Sequence, residues 1–218
     1  MRSHFFQLFK FNCLLAFSLI VVSLVAMPAA AKQINQPTIV VYGDSLSAAY
    51  GIKQDEGWVA LLQQRLSQQK INVQVVNASI SGETTSGGLN RFADMLKQQK
   101  PAIVMVALGG NDGLRGLSTI EIYNNLDKMI QQANTAKATV LLLGMKIPPN
   151  YGLKYSRQFS ENYQNLAKKY AIKLVPFLLE GVAGNPDLIQ ADGLHPKAVA
   201  QAKILENVWP TLVKILKN

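Results

Sequence analysis

Two residues near opposite ends of the chain carry most of the chemistry that this sequence can do. They are Ser45, in the turn Gly43-Asp44-Ser45-Leu46-Ser47, and His195, in Asp192-Gly193-Leu194-His195-Pro196. From residue 32 onward His195 is the one histidine, so general-base chemistry near neutral pH has a single candidate. Asp192, three residues earlier, is spaced to accept the Nδ1 proton, which would fix the tautomer and leave Nε2 to take a proton from a hydroxyl. Ser45 is the expected hydroxyl: Gly43 lets the backbone bend at the end of a strand, exposing Oγ and aiming the Ser45 N–H at a substrate oxyanion. Acyl transfer needs more donors for that oxyanion. Gly82 can offer a bare backbone N–H, and Asn111, in Gly109-Gly110-Asn111-Asp112-Gly113, a side-chain amide. One at a time these residues admit plainer readings: Asp44 and Ser45 as helix caps, His195 as filler, and the two glycine turns as ordinary turns. Together, and in this order, they point to nucleophilic acyl transfer.

Such residues must be brought together by the fold. Apolar runs of strand length alternate with amphipathic stretches of helix length, the pattern of βαβ units on a parallel sheet. Five strands are predicted over 38–42, 73–76, 103–108, 139–143 and 173–175. Helices are predicted over 58–66, 89–96, 120–133 and 159–170, with a last one from about Pro196 to Leu216. Continuous apolar strands mean a sheet covered on both faces, hence a three-layer α/β/α domain spanning residues 32–218. In such a domain ligands bind beyond the carboxyl ends of the strands, where the Ser45, Gly82 and Asn111 turns all lie. Trp58 and Trp209 read as core anchors and Tyr151 as a loop aromatic that could line the cleft. Ser47, Ser79, Ser81, Thr84 and Thr85 read as loop hydrogen-bond partners, since one base serves one nucleophile. The segment from Gly110 to Gly116 carries three glycines besides Leu114 and Arg115, and is expected to move when an acyl chain binds.

Composition bounds the rest. With 218 residues, 49% hydrophobic and 16% charged, the chain is globular. Residues 1–31 read as an export signal: Arg2 and Lys10, an apolar run from Leu14 to Met27, then small residues, with cleavage expected after Ala31. An uncleaved anchor is the competing reading, disfavoured because the run falls short of the ~20 residues a membrane-crossing helix needs. Cys13 lies in that leader, so the exported part has no thiol, disulfide or cysteine ligand. From residue 32 onward 20 basic residues stand against 13 acidic ones, a net charge of +7. They are scattered without a basic stripe, which argues against nucleic acid and leaves only transient contact with a membrane surface. No metal or cofactor is expected. One histidine makes a zinc site unfavourable, and neither a phosphate-cradling glycine loop nor a G-x-S-x-G elbow occurs. A monomer acting on a small acyl ester or thioester is expected.

The blocks Gly43-Asp44-Ser45-Leu46, Gly82, Gly109-Gly110-Asn111-Asp112 and Asp192-Gly193-Leu194-His195 resemble those of the SGNH, or GDSL-type, hydrolases, and the likeness extends over almost the whole chain from residue 32 onward. The resemblance implies a flavodoxin-like α/β/α fold and a periplasmic or secreted enzyme. It also implies Ser45 as nucleophile, His195 as base, Asp192 as its partner, and an oxyanion hole of Ser45 N–H, Gly82 N–H and the Asn111 amide. The implied substrates are fatty acyl esters and thioesters such as lysophospholipids, acyl-CoA and aryl esters. The segment Lys146-Ile147-Pro148-Pro149 departs from the relatives and is expected to shape the acyl groove. An arylesterase or carbohydrate deacetylase on the same fold is the nearest alternative, and a non-catalytic lipid-binding module is the alternative from another class.

Overall fold

A computed structural model describes residues 36–217; the leader read at 1–31 lies outside the described residues. Five parallel strands, β1 (Thr38–Gly43), β2 (Gln74–Asn77), β3 (Ile103–Ala107), β4 (Thr139–Leu143) and β5 (Lys173–Val175), form one sheet in the order β2-β1-β3-β4-β5. This is a doubly wound order, whose chain reversal lies between β1 and β3. The register pairs Val41 with Asn77 on one side and Gly43 with Ala107 on the other, so β1 and β3 finish level and β2 ends two residues short of them. The turns carrying Ser45, Gly82 and Asn111 all leave from the same edge of the sheet.

The six helices among the described residues are α1 (Trp58–Gln68), α2 (Thr85–Gln99), α3 (Gly110–Leu114), α4 (Thr119–Thr135), α5 (Leu153–Tyr170) and α6 (Gln201–Leu216). α1 packs with α6, while α2 packs with α4 and α4 with α5. Right-handed crossovers put the first pair on one face of the sheet and the other three on the opposite face. The central strands are buried throughout, with Val40, Val41, Val104, Met105, Leu141 and Leu142 wholly inaccessible. Burying each such side chain contributes roughly 1.5–3 kcal/mol, so the middle of the sheet is the rigid part. The exposed edge of β2 is closed by a side chain: Gln63 of α1 accepts from the Val75 N–H at 2.7 Å and donates to the Val73 carbonyl at 3.2 Å.

The expected strands match to within one residue at either end. The helices are longer than their apolar periodicity shows. α2 begins at Thr85, where the Thr84 hydroxyl caps it by accepting from the Gly87 N–H at 3.2 Å. α5 begins at Leu153, six residues before Phe159, on a first turn and a half that buries no residue. The last helix is shorter: Pro196 pairs with Ile189 in an isolated β-bridge, a 3-10 turn covers Ala198–Ala200, and α6 starts at Gln201. Trp58 is fully buried, while Trp209 is half-buried beneath the Arg65 guanidinium, 5.2 Å from its ring centre.

Candidate active site

Ser45 does not open a helix. Twelve residues separate it from α1, whose cap is Gly57, so the capping reading of Asp44 and Ser45 fails. Instead Asp44 closes a tight turn: its Oδ1 accepts the Leu46 N–H at 3.0 Å, and its carbonyl accepts from Ser47 at 3.1 Å and Ala48 at 2.9 Å. That turn presents Ser45 Oγ to His195 Nε2 at 2.9 Å, across a separation of 150 residues. His195 Nδ1 lies 2.6 Å from Asp192 Oδ2. The other carboxylate oxygen accepts the backbone N–H groups of Leu194 at 2.9 Å and His195 at 3.0 Å. These bonds and the imidazole hold the Asp192 carboxyl down at about 2. An ionised acceptor on Nδ1 leaves the Nε2 lone pair facing the serine hydroxyl. The Tyr50 ring leans on the imidazole, with centroids 4.4 Å apart, and limits its rotation.

The connection holding Asp192 and His195 is 25 residues long and is braced at several points. Gln190 N–H donates to the His195 carbonyl at 2.8 Å, Lys197 N–H to the Leu188 carbonyl at 2.7 Å, and the Gln190 side chain to the carbonyls of Tyr50 and Pro196 at 2.9 and 3.0 Å. The histidine loop is thus fastened to the serine loop.

Gly82 sits at φ +79 with open space where a Cβ would be. Among the described residues neither its N–H nor that of Ser45 has a protein acceptor. Its loop is clamped by Arg91 of α2, which binds the Glu83 carboxylate at 2.6 Å and the Ala78 carbonyl at 2.9 Å while lying 4.1 Å from the centre of the Tyr42 ring. Asn111 stands on the first turn of α3. Its Nδ2 donates to the Glu83 carbonyl at 3.0 Å and faces Asp44 Oδ2 at 3.3 Å. Gly109 makes this turn possible: it sits at φ +113, and a Cβ there would collide with the Tyr163 hydroxyl, which donates to the Leu108 carbonyl.

Asp44 and Asp112 are site residues whose roles were not apparent beforehand. Asp44 is 1% exposed, and burial pushes its carboxyl up to about 7, helped by nearby Asp112 and opposed by the Leu46 N–H and His195. Asp112, also buried, grips the start of α2 through Thr85. Both lie inside blocks whose neighbouring Ser45 and Asn111 offered the more familiar chemistry, and only their burial sets them apart.

An apolar cleft of about 230 Å³ opens beside Ser45 and His195. Leu46, Leu114, Met145, Ile147, Phe177 and Leu179 form much of its wall, with Lys146 and Pro148 completing the side supplied by the loop after β4. Tyr151 does not line it. Its hydroxyl instead donates to the Leu114 carbonyl at 3.0 Å, steadying α3 from the rim. The Gly110–Gly116 segment is mostly the short helix α3, whose Gly113 is buried so tightly against Phe159 and Ile147 that a side chain there would collide with both. Of the loop hydroxyls, Thr84 and Thr85 are hydrogen-bonded as above and Ser79 reaches the Val41 carbonyl at 3.4 Å, whereas Ser47 Oγ is buried without a partner.

Comparison with known proteins bears on the family and the fold. The model of the GDSL-like lipase/acylhydrolase family matches residues 41–203. Esterase TesA of Pseudomonas aeruginosa is 48% identical over 191 residues, 88% of this chain and 95% of its own. An arylesterase of Vibrio mimicus is 43% identical over 188 residues, 86% and 94% of the two chains. Thioesterase 1/protease 1/lysophospholipase L1 of Escherichia coli K12 is 40% identical over 169 residues, 78% and 80%. The crystal structure of a TesA superimposes with a TM-score of 0.80 at 52% identity, covering 82% of this chain and 99% of that one.

Proposed function

The chain belongs to the GDSL-like lipase/acylhydrolase family, and from that premise we propose that it is an exported serine hydrolase that cleaves fatty acyl esters and thioesters through an acyl-enzyme. The observation that carries the mechanism is the continuous hydrogen-bonded line from Ser45 Oγ through His195 to Asp192 at the mouth of an apolar cleft.

In the first half-reaction His195 Nε2 takes the Ser45 proton as Oγ attacks the acyl carbonyl, and Asp192 stabilises the imidazolium that forms. The oxyanion is held by the unpaired N–H groups of Ser45 and Gly82 and by Asn111. One Asn111 proton stays on the Glu83 carbonyl, and the other, which faces Asp44 Oδ2 at 3.3 Å, is the donor offered to the oxyanion. Collapse expels the alcohol or thiol, which takes its proton from Nε2. Water then enters, gives a proton to the same nitrogen, attacks the acyl carbon, and releases the fatty acid and Ser45. The apolar cleft holds the acyl chain, and no cofactor takes part.

The cleft wall favours medium or long acyl chains over acetyl groups or sugars, which supports the acyl-hydrolase reading over the deacetylase. The arylesterase among the relatives keeps aryl esters as a second substrate class. The decisive assay is hydrolysis of p-nitrophenyl esters of increasing acyl length by the purified protein, with Ser45→Ala and His195→Ala beside it. Activity that favours longer chains and falls by about 10³-fold or more in both variants is expected. Activity on acetyl esters alone would transfer the assignment to the deacetylase or arylesterase, and equal rates in all three proteins would leave a lipid-binding module. We further propose that residues 1–31 direct export and are removed, leaving a periplasmic or secreted monomer; an N-terminus at Lys32 in the exported protein is the expected finding.

A further inference from the structure

Exposed large apolar side chains are unevenly distributed over this molecule. Among the described residues there are eight, and every one lies between the carboxyl end of a strand and the first turn of α1, α2, α4, α5 or α6, the stretch after β3 including the short α3. The three most exposed are Ile120 at 70%, Leu153 at 81% and Val199 at 68%, entering α4, α5 and α6 respectively. Tyr50, Tyr151 and Leu194 stand closer to the cleft. Tyr50 leans on His195, Tyr151 is tied to the cleft residue Leu114, and Leu194 is itself part of the cleft wall. In a parallel sheet all these connections share one edge, so the eight ring the mouth of the active site.

The unpaired charges on this edge are of both signs in nearly equal number. Lys53, Arg115, Lys154, Lys197 and Lys203 stand among the apolar residues with Asp55, Glu56, Glu121 and Asp187, five cations beside four anions, and none of the nine forms an ion pair within the described residues. The opposite edge differs. Its helix-to-strand turns carry Lys70, Lys100 and Lys137 with no acidic residue. An anionic partner would be drawn to that far edge, away from the cleft.

We propose that the apolar rim docks on the surface of a zwitterionic phospholipid aggregate, passing an acyl chain from lipid into the cleft without crossing water. The inference rests on the acyl-hydrolase reading for its consequence, though the docking itself does not require turnover. Aliphatic side chains on four separate connections would enter the acyl boundary, and Tyr50 and Tyr151 would sit at headgroup level. The mixed charges meet a headgroup layer that also carries one charge of each sign.

The test is co-sedimentation of the purified protein with phosphatidylcholine vesicles, alongside turnover of lysophosphatidylcholine above its micelle concentration and of soluble p-nitrophenyl butyrate. The variant combines Ile120→Ser, Leu153→Ser and Val199→Ser, none of which lines the cleft. Vesicle binding and micellar turnover should each fall about tenfold or more, as expected from removing apolar area from an interface, with butyrate hydrolysis unchanged. The proposal is overturned by wild-type protein that stays in the supernatant, by a variant that binds as well as wild type, or by binding that needs phosphatidylglycerol and is released by salt. It is equally overturned if light scattering shows a dimer that the three substitutions dissociate and vesicles do not bind. Should wild type fail on butyrate while vesicle binding still depends on the rim, the hydrolase reading falls and the docking surface stands.

Discussion

Asp112 holds Thr85 by both its backbone and its hydroxyl: the N–H reaches the two carboxylate oxygens at 2.9 and 3.1 Å, and Oγ1 donates at 2.6 Å. Asn125 completes the cluster by donating to Thr85 Oγ1 at 3.1 Å. This joint locks the turn that carries Asn111 to the helix that follows Gly82, and so fixes the spacing of two oxyanion donors. Replacing Asp112 with Ala strips three bonds from a buried site and should cost about 2–4 kcal/mol in urea unfolding. Thr85→Val, which keeps the N–H bonds, should cost less and leave more activity.

Removing the Asn111 amide by Asn111→Ala should lower kcat about 10²–10³-fold with little change in KM, since the donor acts on charge that develops only in the transition state. Steady-state kinetics on one p-nitrophenyl ester decides this. A rise in KM at constant kcat would mean that Asn111 binds substrate rather than the oxyanion.

Asp44 links stability to pH. In the folded chain its carboxyl keeps a proton up to about 7, whereas its ordinary value is 3.8. Folding therefore binds a proton in that window, and the associated stability, complete below the ordinary value, is lost as pH rises towards 7. Asp44→Asn removes the titration, so the variant should gain on wild type steadily from pH 4 to pH 7 in urea midpoints. Parallel curves would show that Asp44 is ionised throughout.

The opposite sign applies to Asp192. Its carboxyl is held at about 2, so the stability it adds is present above the ordinary carboxylate value and is lost only as pH falls through about 2. The orienting carboxylate is therefore charged at every pH where the enzyme would be assayed. Asp192→Asn should lower kcat about 10²–10⁴-fold while leaving the thermal midpoint at pH 7 within a few degrees, because the side chain is partly exposed.

At Gly109 two costs coincide, a backbone at φ +113 and a collision of any Cβ with the Tyr163 hydroxyl. Gly109→Ala should destabilise by about 2–4 kcal/mol. Placed on a Tyr163→Phe background the same change should cost less, since the steric part is relieved and the backbone part remains. Full additivity in that double-mutant cycle would refute the contact.

The sheet was legible because β1, β3 and β4 each carry an unbroken run of four or five buried apolar residues, a pattern that only burial on both faces requires. Ser45, His195 and Asp192 could be singled out because histidine is unique after residue 31 and its aspartate is local. The beginnings of α2 and α5 were not legible, since caps such as Thr84 and a first turn that buries no residue lie outside the apolar period. Nor was the work of Asp44 and Asp112. Their partners, Asn111 and Thr85, lie 67 and 27 residues away, and long-range polar pairing leaves no periodic trace. Tyr151 shows the same limit, because its position on the rim depends on where α3 ends.

The 150-residue separation of Ser45 from His195 makes the working centre the last thing the chain can assemble. Closing so long a loop is entropically costly until the intervening strands have paired, so early folding intermediates hold both residues without joining them. Regain of esterase activity after dilution from denaturant would therefore time the completion of the whole domain, lagging behind signals such as Trp58 fluorescence that report the packing of α1. A chain emerging from a ribosome or crossing a membrane unfolded would likewise carry no reactive serine until its C-terminal helix had arrived.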